Sequence, residues 1–314
     1  MNEEGEILFG VAEDGHREGG GASLGAASPF ENLRARTVIP WVILGSIVLG
    51  LAFFVVAAVV AALTPLEAGG RQTFDVLFGL ALYLALASWI VWVCRRSDIG
   101  LRRLVGTLPG GYGGLSWVRL AGLLVVTMGF SIGSWLVWSY ALSTLAPGVF
   151  EFVLEAVSTE PDPTLVYQLS MTLLAVIAAP VLEEAFFRGI LVNRWGHRWG
   201  VPTALIVSSI AFGILHANPL GIGIVGLVAA LLYLRTRTLI VPIVFHAANN
   251  LVGMLGEFLS DASGPLDIAA EIQAARDDLV WGVILVAVSL PILVWYIRRY
   301  WPARDAALPY MAHE

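Results

Sequence analysis

Long apolar runs separated by short polar stretches recur along most of this 314-residue chain. Each run is close to the ~20 residues that an α-helix needs to cross the hydrocarbon core of a bilayer. Backbone polar groups in lipid must bond within their own segment, so the runs predict helices. The predicted spans lie at about 38–63, 76–94, 120–142, 165–188, 200–217, 219–235, 238–257 and 279–297. The pattern indicates an all-α, polytopic membrane protein of about eight transmembrane helices.

Polar stretches flank and connect these spans. Residues 1–36 are acidic and Gly-rich, which predicts a disordered cytoplasmic tail with no signal peptide. Residues 37–302 are predicted to form the membrane domain, and 303–314 a second cytoplasmic tail. The connector 143–163 is long enough for a short amphipathic helix, but a solvated loop is the favoured interpretation. Residues 97–118 are expected to form an interfacial cytoplasmic segment.

Arginine is distributed unevenly between the two sets of connecting loops. On one side lie Arg34, Arg36, Arg95, Arg96, Arg102, Arg103, Arg119, Arg194, Arg198, Arg235, Arg237, Arg298, Arg299 and Arg304. The opposite loops hold Arg71 and Arg276, together with most of the acidic residues outside the N-terminal tail. Because basic loops stay in the cytoplasm, this distribution predicts a multi-pass protein of the cytoplasmic membrane with both termini inside.

Composition narrows the class of partner. The chain is 58% hydrophobic and 13% charged, about half the charged share of a soluble protein. Membrane lipid is therefore the expected surrounding, and no basic surface with interleaved aromatic residues indicates nucleic acid. The single cysteine, Cys94, excludes an intrachain disulfide or a cluster of thiolate metal ligands.

Few ionisable side chains fall inside the predicted spans. Apart from residues at span boundaries, the Asp, Glu, Arg and His side chains within the spans are Glu183, Glu184, Arg188, His216 and His246. A charge far from water is costly unless it is paired or has a function. A buried ion pair or a lone packing histidine could each be structural. Three separate segments with such residues favour a functional site instead.

Spacing around the first of these segments assigns different surroundings to the two carboxylates. Glu184 and Arg188 are four residues apart on one helix face and can form an ion pair. Glu183 lies roughly 100° around the helix and has no local partner. Pro180 cannot donate a backbone hydrogen bond, so the helix is expected to bend one turn before the carboxylates. Gly189 permits either a close approach or a helix end.

Two later segments supply imidazoles. His216 follows Phe212 by four residues, and His246 precedes Asn250 by four, so each pair shares a helix face. With Glu183 they provide a carboxylate, two imidazoles and an amide, which suit a bound water or a divalent metal with a water. The predicted span ends place Glu183 and His216 more than ~10 Å apart in depth, unless a bend, a tilt or a deeper span closes the gap.

The order of these motifs resembles a known family. The motifs are Glu183-Glu184-x-x-x-Arg188, Phe212-x-x-x-His216 and His246-x-x-x-Asn250, on successive apolar segments. This order is similar to that of the CAAX-protease and bacteriocin-processing (CPBP, or Abi) intramembrane proteases, which include the type II CAAX prenyl endopeptidases. The similarity covers about 167–255, within a protease-like core of about 165–257.

The resemblance implies a hydrolase that cleaves peptide bonds of membrane-associated, prenylated, lipoprotein-like or bacteriocin-like substrates. It implies that Glu183 activates the attacking water and that His216 and His246 hold that water or a metal. Asn250 would help to stabilise the oxyanion, and Glu184 with Arg188 would be a supporting pair. A Zn²⁺ ion held by Glu183, His216 and His246 would make the protein a metalloprotease, and a metal-free mechanism would use the same residues.

Other chemistries fit the sequence less well. There is no His-Glu-x-x-His or Gly-x-Ser-x-Gly motif, and no aspartate pair lies within the spans. Ser208 and Ser209 are interpreted as small packing residues. Two alternatives stay open from the residues. One is a proton-coupled transporter or channel that uses the same Glu and His as a relay. The other is a non-catalytic immunity protein.

Overall fold

A computed structural model of the protein describes residues 28–31, 33, 69–108, 116–157, 165–259 and 267–311. Over these ranges the chain is helical and contains no strand, which confirms the predicted all-α class. The helices are α1 (Gly69–Arg96), α2 (Leu101–Val105), α3 (Trp117–Leu145), α4 (Pro147–Val157), α5 (Leu165–Trp199), α6 (Val201–Ile214), α7 (Pro219–Thr236), α8 (Ile240–Leu259), α9 (Ile268–Asp277) and α10 (Leu279–Arg299). The first predicted span, 38–63, lies outside the described residues.

Several of these helices are long and apolar enough to cross a bilayer. They are α1, α3, α5, α7 and α10, while α6 and α8 are shorter apolar helices. Large apolar side chains on the outer faces are exposed, among them Val125, Ile210 and Val288. Such faces are stable against lipid rather than water. The chain is an integral membrane protein.

Helix α7 lies at the centre of the bundle. It is surrounded by α3, α5, α6 and α8. Residues that point in different directions from its axis are therefore fully buried, among them Val228, Ala230 and Leu232. A helix that is apolar all round is expected in such a position. Its first turn is fixed by the Asn218 side chain, which accepts from the Gly221 amide at 3.0 Å and donates to the Ser131 carbonyl of α3 at 2.8 Å. The turn at Asn218 is thus built into the core.

Helix α5 is longer than the sequence predicted. Span four was expected to end at residue 188, but the helix continues to Trp199 and turns into α6 through Gly200 at φ 88°. The segments 183–199 and 201–216 run back along each other, each over roughly 20–25 Å. The predicted depth difference between Glu183 and His216 came from ending span four too early, and the longer helix removes it.

One connector differs from its prediction and another contains a short helix. The expected solvated loop at 143–163 was wrong, because residues 147–157 form α4. Phe150 and Leu154 lie on one face of α4 and are buried against α3 and α9. In segment 97–118, α2 buries Leu104 against Gly189 of α5. Each of these short helices has an apolar face that is buried against the bundle, although the connector as a whole is polar.

The two terminal segments pack together at one end of the bundle. Phe30 is buried edge-on against Tyr310, with ring centroids 5.0 Å apart. Arg103 donates through Nε to the Tyr310 carbonyl at 2.9 Å, and the Gly100 amide donates to the Tyr310 hydroxyl at 3.1 Å. Phe30 and Leu33 of the predicted disordered tail are therefore buried, while most of that tail lies outside the described residues.

Candidate active site

Two π-helical turns flank the paired carboxylates of α5. The first spans Leu173–Ala178 and the second Ala185–Val192, on either side of the α-helical turn Ala179–Glu184. In a π-helix each amide donates to the carbonyl five residues earlier, so Pro180 leaves the Ala175 carbonyl without its helical donor. The disturbance predicted at Pro180 takes this form. Such irregular turns are frequent at functional sites.

Asn250 of α8 fills the gap left by Pro180. Its Nδ2 donates to the Ala175 carbonyl at 2.8 Å, which ties α8 to α5 beside the carboxylates. One of the two amide hydrogens of Asn250 is used in this way, and the other is available for a ligand. Asn193 closes the second π-helical turn similarly, since its Nδ2 donates to the Gly189 carbonyl at 2.8 Å. The irregular backbone of α5 is thus satisfied by side chains.

Glu184 and Arg188 form the predicted ion pair in the protein interior. Arg188 Nη1 donates to Glu184 Oε1 at 2.9 Å, and both side chains are 1% exposed. Arg188 Nη2 donates to the Gly226 carbonyl of α7 at 2.7 Å. The guanidinium carbon lies 4.6 Å from the centroid of the Phe212 ring. The charge is therefore paired, hydrogen-bonded and stacked, as a buried arginine requires.

Gly226 leaves the space that Arg188 occupies. A Cβ at position 226 would lie 3.0 Å from both Arg188 Nη2 and Phe212 Cδ1. We expect Gly226→Ala to lower the free energy of unfolding by about 1–3 kcal/mol, because the fixed guanidinium and ring have to move. Thermal unfolding in detergent measures this. Gly129→Ala is the matched control in α3, where a Cβ meets nothing within 4 Å. Equal stability of the two variants would contradict the close packing.

Glu184 also holds His246 of α8. His246 Nδ1 lies 3.0 Å from Glu184 Oε1, and the imidazole is 4% exposed. A carboxylate paired with arginine is an acceptor, so Nδ1 carries the hydrogen and Nε2 presents its lone pair. Glu184 therefore does more than neutralise Arg188, because it sets the tautomer and the orientation of His246.

Glu183 faces the other nitrogen of the same imidazole. Glu183 Oε2 lies 4.0 Å from His246 Nε2 and has no hydrogen-bond partner among the described residues. Glu183 Oε1 accepts from the Tyr83 hydroxyl of α1 at 2.8 Å. The Glu183 side chain is 17% exposed, whereas that of Glu184 is closed off from solvent. Glu183 is thus the more exposed of the two carboxylates, although its Oε2 is itself a buried oxygen.

His216 joins this group through Phe212. Its Nδ1 lies 2.8 Å from the Phe212 carbonyl at the end of α6, so Nδ1 donates and Nε2 is left as an acceptor. The Phe212 ring lies 4.8 Å from the His216 ring and 5.6 Å from that of His246. The predicted span 200–217 includes His216, but α6 ends at Ile214, so His216 lies in the turn that follows the helix.

The six predicted site residues are not equally close to one another. Direct contacts link four of them, Glu183, Glu184, Arg188 and His246. The other two are linked indirectly, since His216 bonds to the Phe212 carbonyl and Asn250 to the Ala175 carbonyl. Tyr83 was not predicted, because the site was inferred from the Asp, Glu, Arg and His side chains within the spans. Tyr83 lies in the predicted span 76–94, and an uncharged tyrosine does not stand out in an apolar segment.

The metal prediction can be compared with this geometry. Within the described ranges, no group of three or more His, Cys, Asp or Glu side chains is arranged to hold a metal ion. Glu183 Oε2 and His246 Nε2 are free donor atoms 4.0 Å apart, and a pair is one ligand short of the usual catalytic zinc site. A zinc ion held by Glu183, His216 and His246 stays a prediction, and no catalytic step is derived through it.

Comparisons with known proteins place the matching part of the chain around these residues. Residues 165–252 match the family model described as type II CAAX prenyl endopeptidase Rce1-like. Over 83 residues the chain is 34% identical to "Putative membrane peptidase YdiL" of Bacillus subtilis (strain 168). The aligned region covers 26% of this chain and 34% of that protein. The match thus spans about a third of that relative. No solved structure matches. The resemblance predicted from the sequence is confirmed, and it includes every predicted site residue but not Tyr83.

Proposed function

We propose that this protein is an intramembrane endopeptidase that hydrolyses peptide bonds with a water activated by Glu183. The observation that carries the proposal is the gap between Glu183 Oε2 and His246 Nε2. The two atoms lie 4.0 Å apart, both accept hydrogen bonds, and Glu183 Oε2 is buried without a partner, so a water that donates to both would satisfy them. The match of residues 165–252 to the prenyl endopeptidase model supports the same reaction class.

The proposed reaction follows from the protonation of the two groups. Glu183 Oε2 takes a proton from the water while His246 Nε2 holds the water by accepting its other hydrogen. The water oxygen attacks the scissile carbonyl carbon, and the free amide hydrogen of Asn250 donates to the resulting oxyanion. Glu183 then gives its proton to the leaving amine as the carbon–nitrogen bond breaks. His216 Nε2 is a second acceptor for the water or for the substrate.

The position of the site suggests the class of substrate. Glu183 lies near the middle of α5, far from both ends of a helix long enough to span the bilayer. A scissile bond must therefore enter the membrane, which favours membrane-associated or prenylated peptides over soluble proteins. The packed terminal segments lie at one end of the bundle, and we propose that this end faces the cytoplasm, as the arginine distribution predicts.

The test is direct cleavage by the purified protein in bilayers. We expect wild-type protein, mixed with membrane proteins of a host cell or with a prenylated peptide, to create new peptide termini that mass spectrometry identifies. A zinc chelator in the same assay tests whether the activity needs the zinc ion predicted at Glu183, His216 and His246.

Each outcome bears on a different part of the proposal. Absence of any new terminus from all substrates, together with substrate-linked proton movement in proteoliposomes, would overturn the peptidase and favour a transporter. Loss of cleavage with the chelator and its return with added Zn²⁺ would show that the protein is a metalloprotease. The proposal of a water held by Glu183 and His246 alone would then be wrong. Cleavage of the prenylated peptide alone would assign the substrate class.

A further inference from the structure

Tyr83 touches the proposed general base from outside the region that resembles known proteases. It lies on α1, whereas the matching residues are 165–252. Its hydroxyl donates to Glu183 Oε1 at 2.8 Å. A carboxylate has two oxygens that are chemically equal in water, and here one is engaged and the other is free. The environment therefore makes the two oxygens of Glu183 different.

We propose that Tyr83 is a positioning residue that fixes the Glu183 carboxylate so that Oε2 shares a water with His246. This inference rests on the proposed peptidase function, because it assigns a partner to the same general base. Tyr83 acts through Glu183 and does not touch the reacting atoms in this geometry. It is a second polar support of the site, beside the support that Glu184 gives to His246.

The need for such a support comes from the freedom of a glutamate side chain. The terminal torsion of glutamate is broad and roughly two-fold, so packing alone does not fix the carboxylate plane. Glu183 Oε2 and His246 Nε2 are both acceptors and lie 4.0 Å apart, so a water that donates to both needs the two atoms aimed at one point. Rotation of the carboxylate would move Oε2 out of that position, and the shared water would be lost. The hydroxyl of Tyr83 holds Oε1 on the opposite side and keeps Oε2 in place.

The remaining contacts of α1 with α5 explain why a polar bond is used. Trp89 packs edge-on against Phe186, and Gly79 lies against Leu174. On its other side α1 exposes apolar residues such as Leu80 and Leu84. Apolar contacts in a bilayer are weakly directional, since lipid offers similar contacts. The bond from Tyr83 to Glu183 gives α1 a defined rotation relative to the site.

Tyr83→Phe removes only the hydroxyl and is the first test. In bilayers we expect kcat to fall by about 10–100-fold while KM changes by less than about 2-fold, as for the loss of an orienting partner. Tyr140→Phe is the matched control, since it removes the same hydroxyl from a half-buried tyrosine of α3. Thermal unfolding should show both variants folded. Unchanged kcat in Tyr83→Phe would overturn the inference.

A double-substitution cycle separates positioning from a general structural role. Glu183→Asp shortens the side chain by one methylene, so the carboxylate no longer reaches the Tyr83 hydroxyl. In that background Tyr83→Phe should lower the residual kcat by less than about 3-fold, because the two residues act as one unit. An equal loss in both backgrounds would overturn the inference, since Tyr83 would then act independently of Glu183. These results leave the peptidase proposal intact, whereas absence of cleavage by wild type ends both.

Discussion

Glu183→Gln is expected to lower kcat/KM for peptide hydrolysis by about 10²–10⁴-fold, the usual contribution of a general base. The amide has nearly the same shape, and its oxygen can still accept from the Tyr83 hydroxyl that now holds Oε1 at 2.8 Å. It cannot take a proton from water at neutral pH. The loss should therefore appear in kcat with the fold preserved, as measured by cleavage assay and thermal unfolding on the same sample.

The control for this result is a glutamate of similar chemistry away from the bundle core. Glu271 on α9 is exposed, so Glu271→Gln should keep wild-type activity. If Glu183→Gln cleaved as fast as wild type, the carboxylate would not be the base and the proposed mechanism would be wrong. If Glu183→Gln failed to fold, Glu183→Asp would separate misfolding from loss of chemistry, because it keeps the carboxylate and shortens the side chain by one methylene.

Much of the site could be predicted from the sequence because charge is costly in an apolar segment. Glu183, Glu184 and Arg188 are conspicuous in a run of uncharged residues, and their spacing alone assigned the ion pair and left Glu183 free. The pair is present at 2.9 Å. His246 was also predicted to converge on Glu183, and the structure places it in the same group. These residues are recognisable because each breaks the composition of its own helix.

The partner of each group could not be predicted in the same way. Contacts between helices depend on helix rotation and depth, which local spacing does not determine. The bond from His246 Nδ1 to Glu184 joins residues 62 positions apart, and the one from Tyr83 to Glu183 joins residues 100 apart. The pairing of Asn250 with Ala175 required knowing that the turn before Pro180 is π-helical. Periodicity analysis assumes an ordinary helix and cannot reveal such a turn.

The helix boundaries show a related limit. Span four was predicted to end at Arg188, yet this arginine is 1% exposed and the helix continues for three further turns. Glu184 and the Gly226 carbonyl bind the guanidinium inside the bundle, so its charge does not mark a membrane surface. The early predicted end of span four accounts for the apparent depth mismatch with His216.

Glu184→Leu is expected to destabilise the protein by about 3–5 kcal/mol, because it leaves the buried charge of Arg188 without a counterion. It also removes the acceptor of His246 Nδ1, so the imidazole is no longer held in one tautomer. Both a lower midpoint of thermal unfolding in detergent and loss of peptide cleavage should follow. Glu31→Gln is the control, since it breaks an exposed pair with His197 and should change stability by less than ~1 kcal/mol.

The double variant Glu184→Leu with Arg188→Met separates the two roles of Glu184. Replacing both members of a buried pair by apolar residues is often close to neutral, so most of the lost stability should return. Activity should not return, because His246 still lacks its acceptor. A double variant that cleaves like wild type would show that Glu184 only neutralises Arg188. A single variant as stable as wild type would show instead that the guanidinium finds another partner, and that the buried pair does not hold α5 against α7 and α8.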